Sequence, residues 1–375
     1  MMKKVGLMTC YMNNFGACLQ AYALQHKIDE LGLDCEIIKY TPIRAVKEYS
    51  FLIKVGRRLY SLIKGFANID FRYENYRNRS FVRFRKKYLT FSNENYLKEE
   101  ELYSHQLKYD CYVTGSDQIW NPNLFNGQAN PIYFLDFVPD GKGRVAYAPS
   151  IGVSSVSDSY KTEMKKYLAR FDAISVREYE GKEIIDSIIE CECRAVLDPT
   201  LLLKKNEWEA LLHDKIINKD YILLYLFSDR EYIGEFVQYV QEQLGIDVVT
   251  IPFNKREYYS NHIKIKKAGP LEFLNLIKNA SLVITDSFHA TAFSINLQVP
   301  FYTLLRNTEK ETNNMNSRIY SILSFTKLEN RIIRDKEAFP DKINLEIDFS
   351  EADKRLQEKR EQDIDFLKSA LGAKK

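Results

Sequence analysis

The sequence predicts two α/β domains, each built on a parallel sheet, that face each other across a cleft. Two observations support this fold class. Short apolar segments alternate with helical segments through most of the chain, as in βαβ units. The 375 residues also exceed what one ordinary core accommodates. We therefore predict Rossmann-like domains at 1–203 and 204–345, divided where the composition changes near 203–206, and a charged C-terminal helix at 346–375 that packs back across both.

The first domain opens with a βαβ unit. A strand at 3–9 leads through a loop at 13–16 to a helix at 17–31 and a strand at 35–40, which predicts a parallel sheet with right-handed crossovers. Its later strands are predicted at 110–114, 144–148, 173–176 and 194–197, with helices at about 157–170 and 178–188. The second domain repeats the alternation, with strands at 221–227, 247–252, 282–285 and 301–305 and helices at 231–244, 271–279 and 289–297.

A basic helical insertion at 44–90 interrupts the first domain. From Arg44 to Lys87 it carries 13 Lys or Arg and three acidic residues. Its segment 51–66, FLIKVGRRLYSLIKGF, has helical apolar spacing and a basic face. Such a helix either makes a peripheral contact with anionic lipid or packs on the sheet as an ordinary solvated helix, and both interpretations stay open. No nucleic-acid-binding module accompanies the basic residues, so we expect no nucleic-acid partner.

Composition indicates a globular protein that stays in the cytoplasm. The chain is 45% hydrophobic and 28% charged, with a net charge of +3. It lacks an apolar run of about 18 residues and a signal peptide at its start. We expect its six cysteines to be reduced core thiols.

The segment Leu282–Leu297, LVITDSFHATAFSINL, is the first candidate site. A buried strand runs directly into a helix, with Asp286, Ser287 and His289 at the junction. The carboxyl ends of strands are where open α/β sheets bind ligands, and a helix amino terminus favours phosphate or carboxylate. His289 would act there as an acid, a base or an anion contact, whereas a lone His is more often structural.

Three segments together resemble the bacterial polysaccharide pyruvyltransferase family. They are NNFGACLQAYALQ (Asn13–Gln25), YDCYVTGSDQIWN (Tyr109–Asn121) and TDSFHATAFS (Thr285–Ser294), and the isolated Arg318 of NSRI follows them. The resemblance extends from about residue 3 to 333. It implies a GT-B-like fold and an enzyme that uses phosphoenolpyruvate to place a cyclic pyruvate ketal on a sugar, for which we expect a lipid-linked glycan acceptor at the inner face of the membrane.

The resemblance also implies residues for phosphoenolpyruvate. The matching His is thought to act on this substrate, so His289 would donate the proton to its methylene carbon. Arg177, in the family's SxRE-like segment, and Arg318 would hold its anionic groups, with Arg306 as a further candidate; the alternative for Arg177 is a surface salt bridge. Some members carry an Arg where this chain has Ser287, so Ser287 with backbone groups, or another Arg, would replace that contact. We expect neither a metal nor a nucleotide cofactor.

The segment GSDQIWN, 115–121, is predicted to hold the acceptor sugar. Its polar side chains can bond hydroxyl groups, Trp120 offers a flat apolar face, and Asp117 could accept the proton of the attacking hydroxyl. Alternatively, Trp120 fills the core and Asp117 caps a helix. Gly16 is expected only to permit a close turn. The full set of predicted acceptor contacts is Asn13, Asn14, Ser116, Asp117, Gln118, Trp120 and Asn121.

Two other functions remain open at this level. The same two-domain scaffold would suit a glycosyltransferase that uses a nucleotide sugar. The chain could also be a non-catalytic glycan-binding component of a polysaccharide assembly complex.

Overall fold

The computed structural model describes residues 3–41, 69–105, 107–307 and 316–373, and the side chains of 77–88 within the helix that begins at Ile69. These residues form two separate sheets in which every strand pair is parallel. The predicted segment 51–66 lies outside the described residues.

The first sheet has seven strands in the order β3-β2-β1-β4-β5-β6-β7. Their bounds are β1 Lys4–Met8, β2 Asp34–Tyr40, β3 Phe91–Tyr96, β4 Cys111–Thr114, β5 Gly143–Ala146, β6 Ala173–Val176 and β7 Cys193–Ala195. Helices cover both faces, so the central strands β1 and β4 are buried nearly throughout. Strand β3 was missed in the sequence, because its stretch NEN is exposed and polar, as suits an edge strand.

The second sheet has six strands in the order β10-β9-β8-β11-β12-β13. Their bounds are β8 Tyr221–Tyr225, β9 Asp247–Thr250, β10 Ile263–Lys264, β11 Leu282–Thr285, β12 Phe301–Leu304 and β13 Ile332–Ile333. This order repeats that of the first six strands of the first sheet. The strand order therefore reverses between β1 and β4 in one sheet and between β8 and β11 in the other, and these are the crevices where such sheets bind ligands.

Thirteen α-helices lie in the described ranges. They are α1 Phe15–Glu30, α2 Ile69–Tyr88, α3 Glu99–Ser104, α4 Asp158–Leu168, α5 Tyr179–Asp186, α6 Pro199–Leu202, α7 Lys205–Glu209, α8 Glu231–Leu244, α9 Lys255–Tyr259, α10 Pro270–Lys278, α11 Phe288–Leu297, α12 Ser317–Thr326 and α13 Ser350–Ala370. Every helix in these ranges is too short or too polar to span a lipid bilayer.

Helix α2, within the predicted insertion, ties the two sheets together. Arg77 donates to the carbonyl of Pro252, and its guanidinium lies 4.0 Å from the ring centroid of Phe253. Ser80 Oγ donates to the carbonyl of Lys267 at 2.8 Å. All three partners belong to the second half of the chain, so α2 bridges the halves.

The aromatic core between the halves centres on Phe15. Its ring stacks on Phe81 of α2 at 5.0 Å and on Phe273 of α10 at 4.7 Å between centroids. All three rings are buried. Burial of one such ring stabilises a fold by about 1.5–3 kcal/mol, so this stack contributes substantially to holding α1 and α10 together.

Helix α13 contacts segments from both halves. Arg360 donates to the carbonyl of Leu201 at 2.6 Å and to Asn296 Oδ1 at 2.8 Å. Asp363 accepts a bond of 2.7 Å from the backbone N–H of Leu197. The division of the chain at 203 remains a prediction, since α6 and α7, on either side of it, contact both sheets' helices.

Candidate functional site

The junction between β11 and α11 is a buried, capped helix start. Ser287 is the N-cap residue; its Oγ accepts from the N–H of Ala290, and its own N–H donates to Thr285 Oγ1 at 3.1 Å. Every residue of α11 is buried. The hydroxyl predicted to contact phosphoenolpyruvate is thus already used in capping, although backbone N–H groups of the first turn stay near it.

His289 lies in the first turn of α11, against the first turn of α1. A Cβ atom on Gly16 would overlap its ring. Gly16 was expected to permit a close turn, but it lies within helix α1 instead. Its lack of a side chain makes room for the imidazole. The ring is 7% exposed, and its Nε2 has no hydrogen-bond partner in the described residues.

Burial lowers the pKa of His289 below its ordinary value, while the nearby carboxylates of Asp198 and Asp117 oppose this shift. Nε2 lies 3.8 Å from Asp198 Oδ2, which is too long for a hydrogen bond. In the free protein the neutral imidazole is thus favoured at neutral pH. A bound anion would raise the pKa and favour the imidazolium.

Asp198 is the central residue that the sequence analysis missed. It is the N-cap of α6, and its Oδ1 accepts from the N–H and Oγ1 of Thr200 at 3.0 and 2.6 Å. Its Oδ2 accepts from Arg177 at 2.6 Å and from Ser116 Oγ at 3.3 Å. The residues Asp-Pro-Thr directly after a predicted strand are a helix-start signal that could have located it.

Arg177 follows β6 and is almost fully buried, so it does not form the surface salt bridge considered above. Its Nη1 bonds Asp198, its Nε lies 3.6 Å from Glu178 Oε1, and its guanidinium lies 4.3 Å from the ring centroid of Phe288. Burial alone would lower the pKa of Arg177, but Asp198 and Glu178 outweigh it and raise the pKa. Nε and Nη2 have no hydrogen-bond partner in the described residues.

Arg318, on α12, lines the same cavity as Arg177 and Phe288. Its guanidinium lies 6.0 Å from that ring centroid, and the side chain is 8% exposed. In the described ranges it forms no ion pair within 4.0 Å, and its Nε has no hydrogen-bond partner. Burial, followed by repulsion from Arg177, lowers the pKa of Arg318 to about 10. No described carboxylate thus lies within 4.0 Å of this buried cation, although Glu178 and Asp117 are near enough to favour its charged form.

A cavity lies between these groups and helix α13. Arg177, Glu178, Asp198, Phe288 and Arg318 line one wall. Burial raises the pKa of Glu178, whose Oε1 accepts from Ser150 and whose Oε2 has no partner in the described residues. The cavity is thus lined by Arg177 and Arg318, whose N–H groups include some without a partner in the described residues. It is also lined by Glu178, whose protonated form is favoured by burial.

Asp286 is occupied by backbone and by Arg306. Its carboxylate accepts from the N–H groups of Phe227 and Ser228 and pairs with Arg306 Nη2 at 3.3 Å. Arg306 also donates to the carbonyl of Asp286 at 2.7 Å and lies 4.3 Å from the ring centroid of Phe227. This cluster fills the crevice between β8 and β11.

The acceptor segment 115–121 is only partly as predicted. Trp120 is fully buried, stacked on Phe134 at 4.7 Å, and its Nε1 donates to the carbonyl of Tyr133, so its ring fills the core and has no face for a sugar. Asn121 is also buried; it caps the 3₁₀ turn Pro122–Leu124 and donates to Gln118 Oε1. The predicted helix cap at Asp117 is therefore wrong, since Asn121 does the capping.

The remaining residues of this segment differ in accessibility. Ser116 is fully buried and donates to the carbonyl of Ala148 and to Asp198, which makes it a support for Asp198 rather than a free sugar contact. Asp117 and Gln118 are half-buried. No described residue hydrogen-bonds the carboxylate of Asp117, which lies close enough to His289, Arg177 and Arg318 to affect the pKa of each.

Asn13 and Asn14 are exposed at the start of α1. Asn14 is the N-cap and accepts from the N–H of Ala17. Asn13 donates to Asn78 at 2.7 Å and accepts from Arg85 at 2.8 Å, both on α2. The bridging helix therefore holds one of the predicted acceptor contacts.

One group of residues in the described ranges has metal-ligand spacing: His26, Glu30 and Glu207. The ammonium group of Lys27 lies between them, 2.7 Å from Glu30 Oε2 and 2.6 Å from Glu207 Oε1. These contacts make the cluster an ion-pair network that joins α1 to α7.

Comparisons with known proteins agree with this architecture. A model of the polysaccharide pyruvyl transferase family matches residues 14–308. A putative UDP-N-acetylglucosamine 2-epimerase from Listeria monocytogenes is 11% identical, with 95% of each chain covered and a TM-score of 0.50. MurG from Acinetobacter baumannii is 10% identical over 98% of this chain and 99% of its own, with a TM-score of 0.48. The search of curated proteins found no match. The likeness to the epimerase indicates the fold alone: two parallel-sheet α/β domains of the GT-B kind.

Proposed function

Because the chain belongs to the polysaccharide pyruvyl transferase family, we propose that it moves the enolpyruvyl unit of phosphoenolpyruvate onto two hydroxyls of a sugar. The products are a cyclic pyruvate ketal in a surface polysaccharide and inorganic phosphate. One observation carries this proposal: Arg177, Arg318 and His289 converge in a buried site, and each keeps a polar nitrogen without a hydrogen-bond partner in the described residues.

Arg177 and Arg318 would bind the two anionic groups of phosphoenolpyruvate. A buried cation without a counter-charge is costly, and a bound anion removes that cost. Arg177 offers Nε and Nη2, while Arg318 offers its guanidinium with no carboxylate in salt-bridge range among the described residues. Both guanidinium groups lie within 6.0 Å of the ring centroid of Phe288, and two neighbouring cations suit a ligand with two anionic groups.

His289 would supply the proton that starts the reaction. Transfer of this proton from the imidazolium to the methylene carbon leaves a cationic centre at the neighbouring carbon, and a sugar hydroxyl attacks there. Asp117, which no described residue hydrogen-bonds, would accept the proton of that hydroxyl. The carbon–oxygen bond to phosphate then breaks, and the second hydroxyl adds to the same carbon to close the ketal. Each hydroxyl loses one proton: Asp117 would accept the first, and the imidazole of His289, left neutral by the first step, would accept the second, while phosphate leaves with the bonding electron pair.

The crevice between β8 and β11 disfavours the alternative of a nucleotide-sugar glycosyltransferase. A diphosphate binds best to free backbone N–H groups at the carboxyl end of a sheet. Here the N–H groups of Phe227 and Ser228 are already bonded to Asp286. Groups available to bind phosphate are therefore found around Arg177 and Arg318 rather than in the crevice between β8 and β11.

We further propose that the acceptor is lipid-linked and is modified at the cytoplasmic face of the membrane. The outer side of α2 supports this, since Arg79, Arg83, Lys86 and Lys87 are exposed. Such a face attracts anionic lipid. Binding to vesicles that is independent of anionic lipid content, and of charge reversal at Arg83 and Lys87, would contradict the proposal.

The test of the reaction is incubation with phosphoenolpyruvate and galactose-terminated glycans. We expect phosphate release that depends on both substrates, together with a ketal methyl signal in the product's NMR spectrum. Failure with a broad set of acceptors, combined with turnover of a nucleotide sugar, would overturn the proposal. A non-catalytic glycan-binding role would instead leave the biological output intact in His289→Ala.

A further inference from the structure

A groove lies near the segment that carries Asp117, at the carboxyl end of the first sheet. Tyr40 at the end of β2, Glu99 and Glu100 at the start of α3, and Phe125, Gln128 and Tyr133 of the loop before β5 line it. None of these residues belongs to the predicted acceptor segment. The groove therefore extends the candidate site away from His289, over the edge formed by β2 and β3.

Tyr133 joins the groove to the catalytic end of the cleft. Its carbonyl accepts from Thr114 Oγ1 at the end of β4 and from Trp120 Nε1, so its backbone is fixed to the segment that carries Asp117. Its ring is half-buried, and no described residue hydrogen-bonds its hydroxyl. Burial raises the pKa of Tyr133 well above its ordinary value, and the nearby Cys10, Tyr11 and Tyr40 and, least of all, Asp117 add to this shift.

The groove combines the two kinds of group that bind sugars. The rings of Phe125 and Tyr133 are half-buried, with centroids 5.8 Å apart and planes at 47°, so two apolar faces at different angles reach the groove. Gln128 is exposed and offers an amide to hydroxyl groups. Aromatic faces stack on the apolar side of a pyranose, and amides bond its edge.

We propose that this groove binds the sugar units that adjoin the modified one in the acceptor, and that these units are neutral. The inference rests on the proposed function. The charge of the groove supports neutral sugars. Glu99 and Glu100 of α3 are exposed at the groove, and Lys98 is the only positively charged lining residue in the described ranges. A uronate or phosphate in this position would meet two carboxylates.

The experiment compares a galactose-terminated disaccharide with a tetrasaccharide of neutral hexoses that carries the same end, using the full chain. We expect a lower KM for the tetrasaccharide. Phe125→Ala should raise that KM roughly tenfold, with a smaller effect on the disaccharide. Tyr133→Phe, which keeps the ring, should have a weaker effect than Phe125→Ala. Tyr259→Ala, at a 73% exposed ring in the second half, is the matched control and should change neither KM.

A second comparison tests charge. A tetrasaccharide with glucuronate as its second unit should bind more weakly than the neutral one, and Glu99→Gln combined with Glu100→Gln should narrow that difference. Fluorescence anisotropy of the labelled tetrasaccharides measures this without phosphoenolpyruvate. Binding without turnover would therefore overturn the proposed reaction and support the groove. Equal KM values for the disaccharide and the tetrasaccharide, unaffected by Phe125→Ala, would overturn the proposed sugar site in the groove but not the proposed reaction. An absence of both binding and turnover would overturn both proposals.

Discussion

Asp117 and Asp286 follow matching strands in the two sheets, and they have opposite surroundings. Strand β4 lies next to β1 as β11 lies next to β8. Asp286 is buried and bonded to two backbone N–H groups and Arg306. Asp117 is half-buried, has φ +68°, and no described residue hydrogen-bonds its carboxylate. The same topology thus produces one structural carboxylate and one that is free to react.

The difference shows that strand order places a site but does not assign its chemistry. Both crevices satisfy the rule that ligands bind where strand order reverses. In the second sheet, however, Asp286 pairs with Arg306 and Phe227 packs on Arg306, so the cations that remain available are Arg177 and Arg318. The second half then contributes the imidazole of His289 and the guanidinium of Arg318.

Replacing His289 should have the largest effect. His289→Ala should lower turnover by about 10²- to 10⁴-fold, the usual contribution of a general acid. Phosphate release under saturating phosphoenolpyruvate measures this. The melting temperature should change little, because the ring forms no hydrogen bond in the described residues, and turnover within threefold of the native protein would exclude His289 as the acid.

The paired aspartates give the direct test of the comparison. Asp117→Asn should lower turnover about 10²-fold, as loss of a general base does, without affecting stability. Asp286→Asn should lower the free energy of unfolding by about 1–3 kcal/mol, because bonds from buried N–H groups and Arg306 weaken. Urea titrations and phosphate-release assays on both variants separate the two effects. The reverse pattern, with turnover lost in Asp286→Asn alone, would break the comparison.

The two arginines of the site should also differ, with Arg318 affecting substrate binding and Arg177 affecting stability. Arg318→Gln should raise the KM for phosphoenolpyruvate by about 10- to 100-fold with little loss of stability, since no described carboxylate depends on it. Arg177→Gln leaves Asp198 and Glu178 buried without their counter-charge and should lower the free energy of unfolding by about 3–5 kcal/mol. Kinetics and urea denaturation test both. Equal destabilisation by both variants would show that Arg318 has a structural role too.

Gly16→Ala should disturb His289 from the other half of the chain. The new methyl group overlaps the imidazole, so the ring must move, and we expect turnover to fall roughly tenfold. Gly245→Ala is the control: it has φ +65° and open space around it, so it should cost stability without affecting turnover. An unchanged rate in Gly16→Ala would mean that the ring position is not critical.

Binding of phosphoenolpyruvate should be accompanied by uptake of at most one proton. Burial lowers the pKa of His289, so the free imidazole is neutral at pH 7, and the bound anion raises that pKa. Accordingly kcat/KM should fall as pH rises above the pKa of the free imidazole. Calorimetry in two buffers of different ionisation enthalpy detects the uptake. It should vanish in His289→Ala and persist in Glu178→Gln; the opposite result would identify Glu178, whose pKa burial raises, as the group that gains the proton.

The sequence was most informative where the structure depends on residues that are close together in the chain. The apolar run at 282–284 and the helical spacing after it predicted β11 correctly and α11 to within one residue, and the βα alternation correctly predicted two parallel-sheet domains. The roles proposed for His289, Arg177 and Arg318 stay predictions, but the fold brings these residues together. His289 lies at a predicted helix start and Arg177 follows a predicted strand, whereas Arg318 was proposed from the family resemblance and its helix α12 was not predicted.

The rest depends on contacts between distant segments. Whether Trp120 is accessible is decided by Phe134, and the reason for glycine at position 16 is a ring 273 residues away. Asp198 was missed because no role was assigned to Asp-Pro-Thr, which directly follows the strand predicted at 194–197. The bridging contacts of α2 with Pro252 and Lys267 have no local signal.

The contact between Gly16 and His289 also constrains how this protein can diverge. A side chain at position 16 and an imidazole at position 289 exclude each other in this backbone arrangement. Among homologues the two positions should therefore covary: a sequence that gains a residue larger than glycine at 16 should have lost the histidine, and with it the reaction. A glycine in the first helix can thus serve as a marker for separating active members of the family from those that keep only the fold.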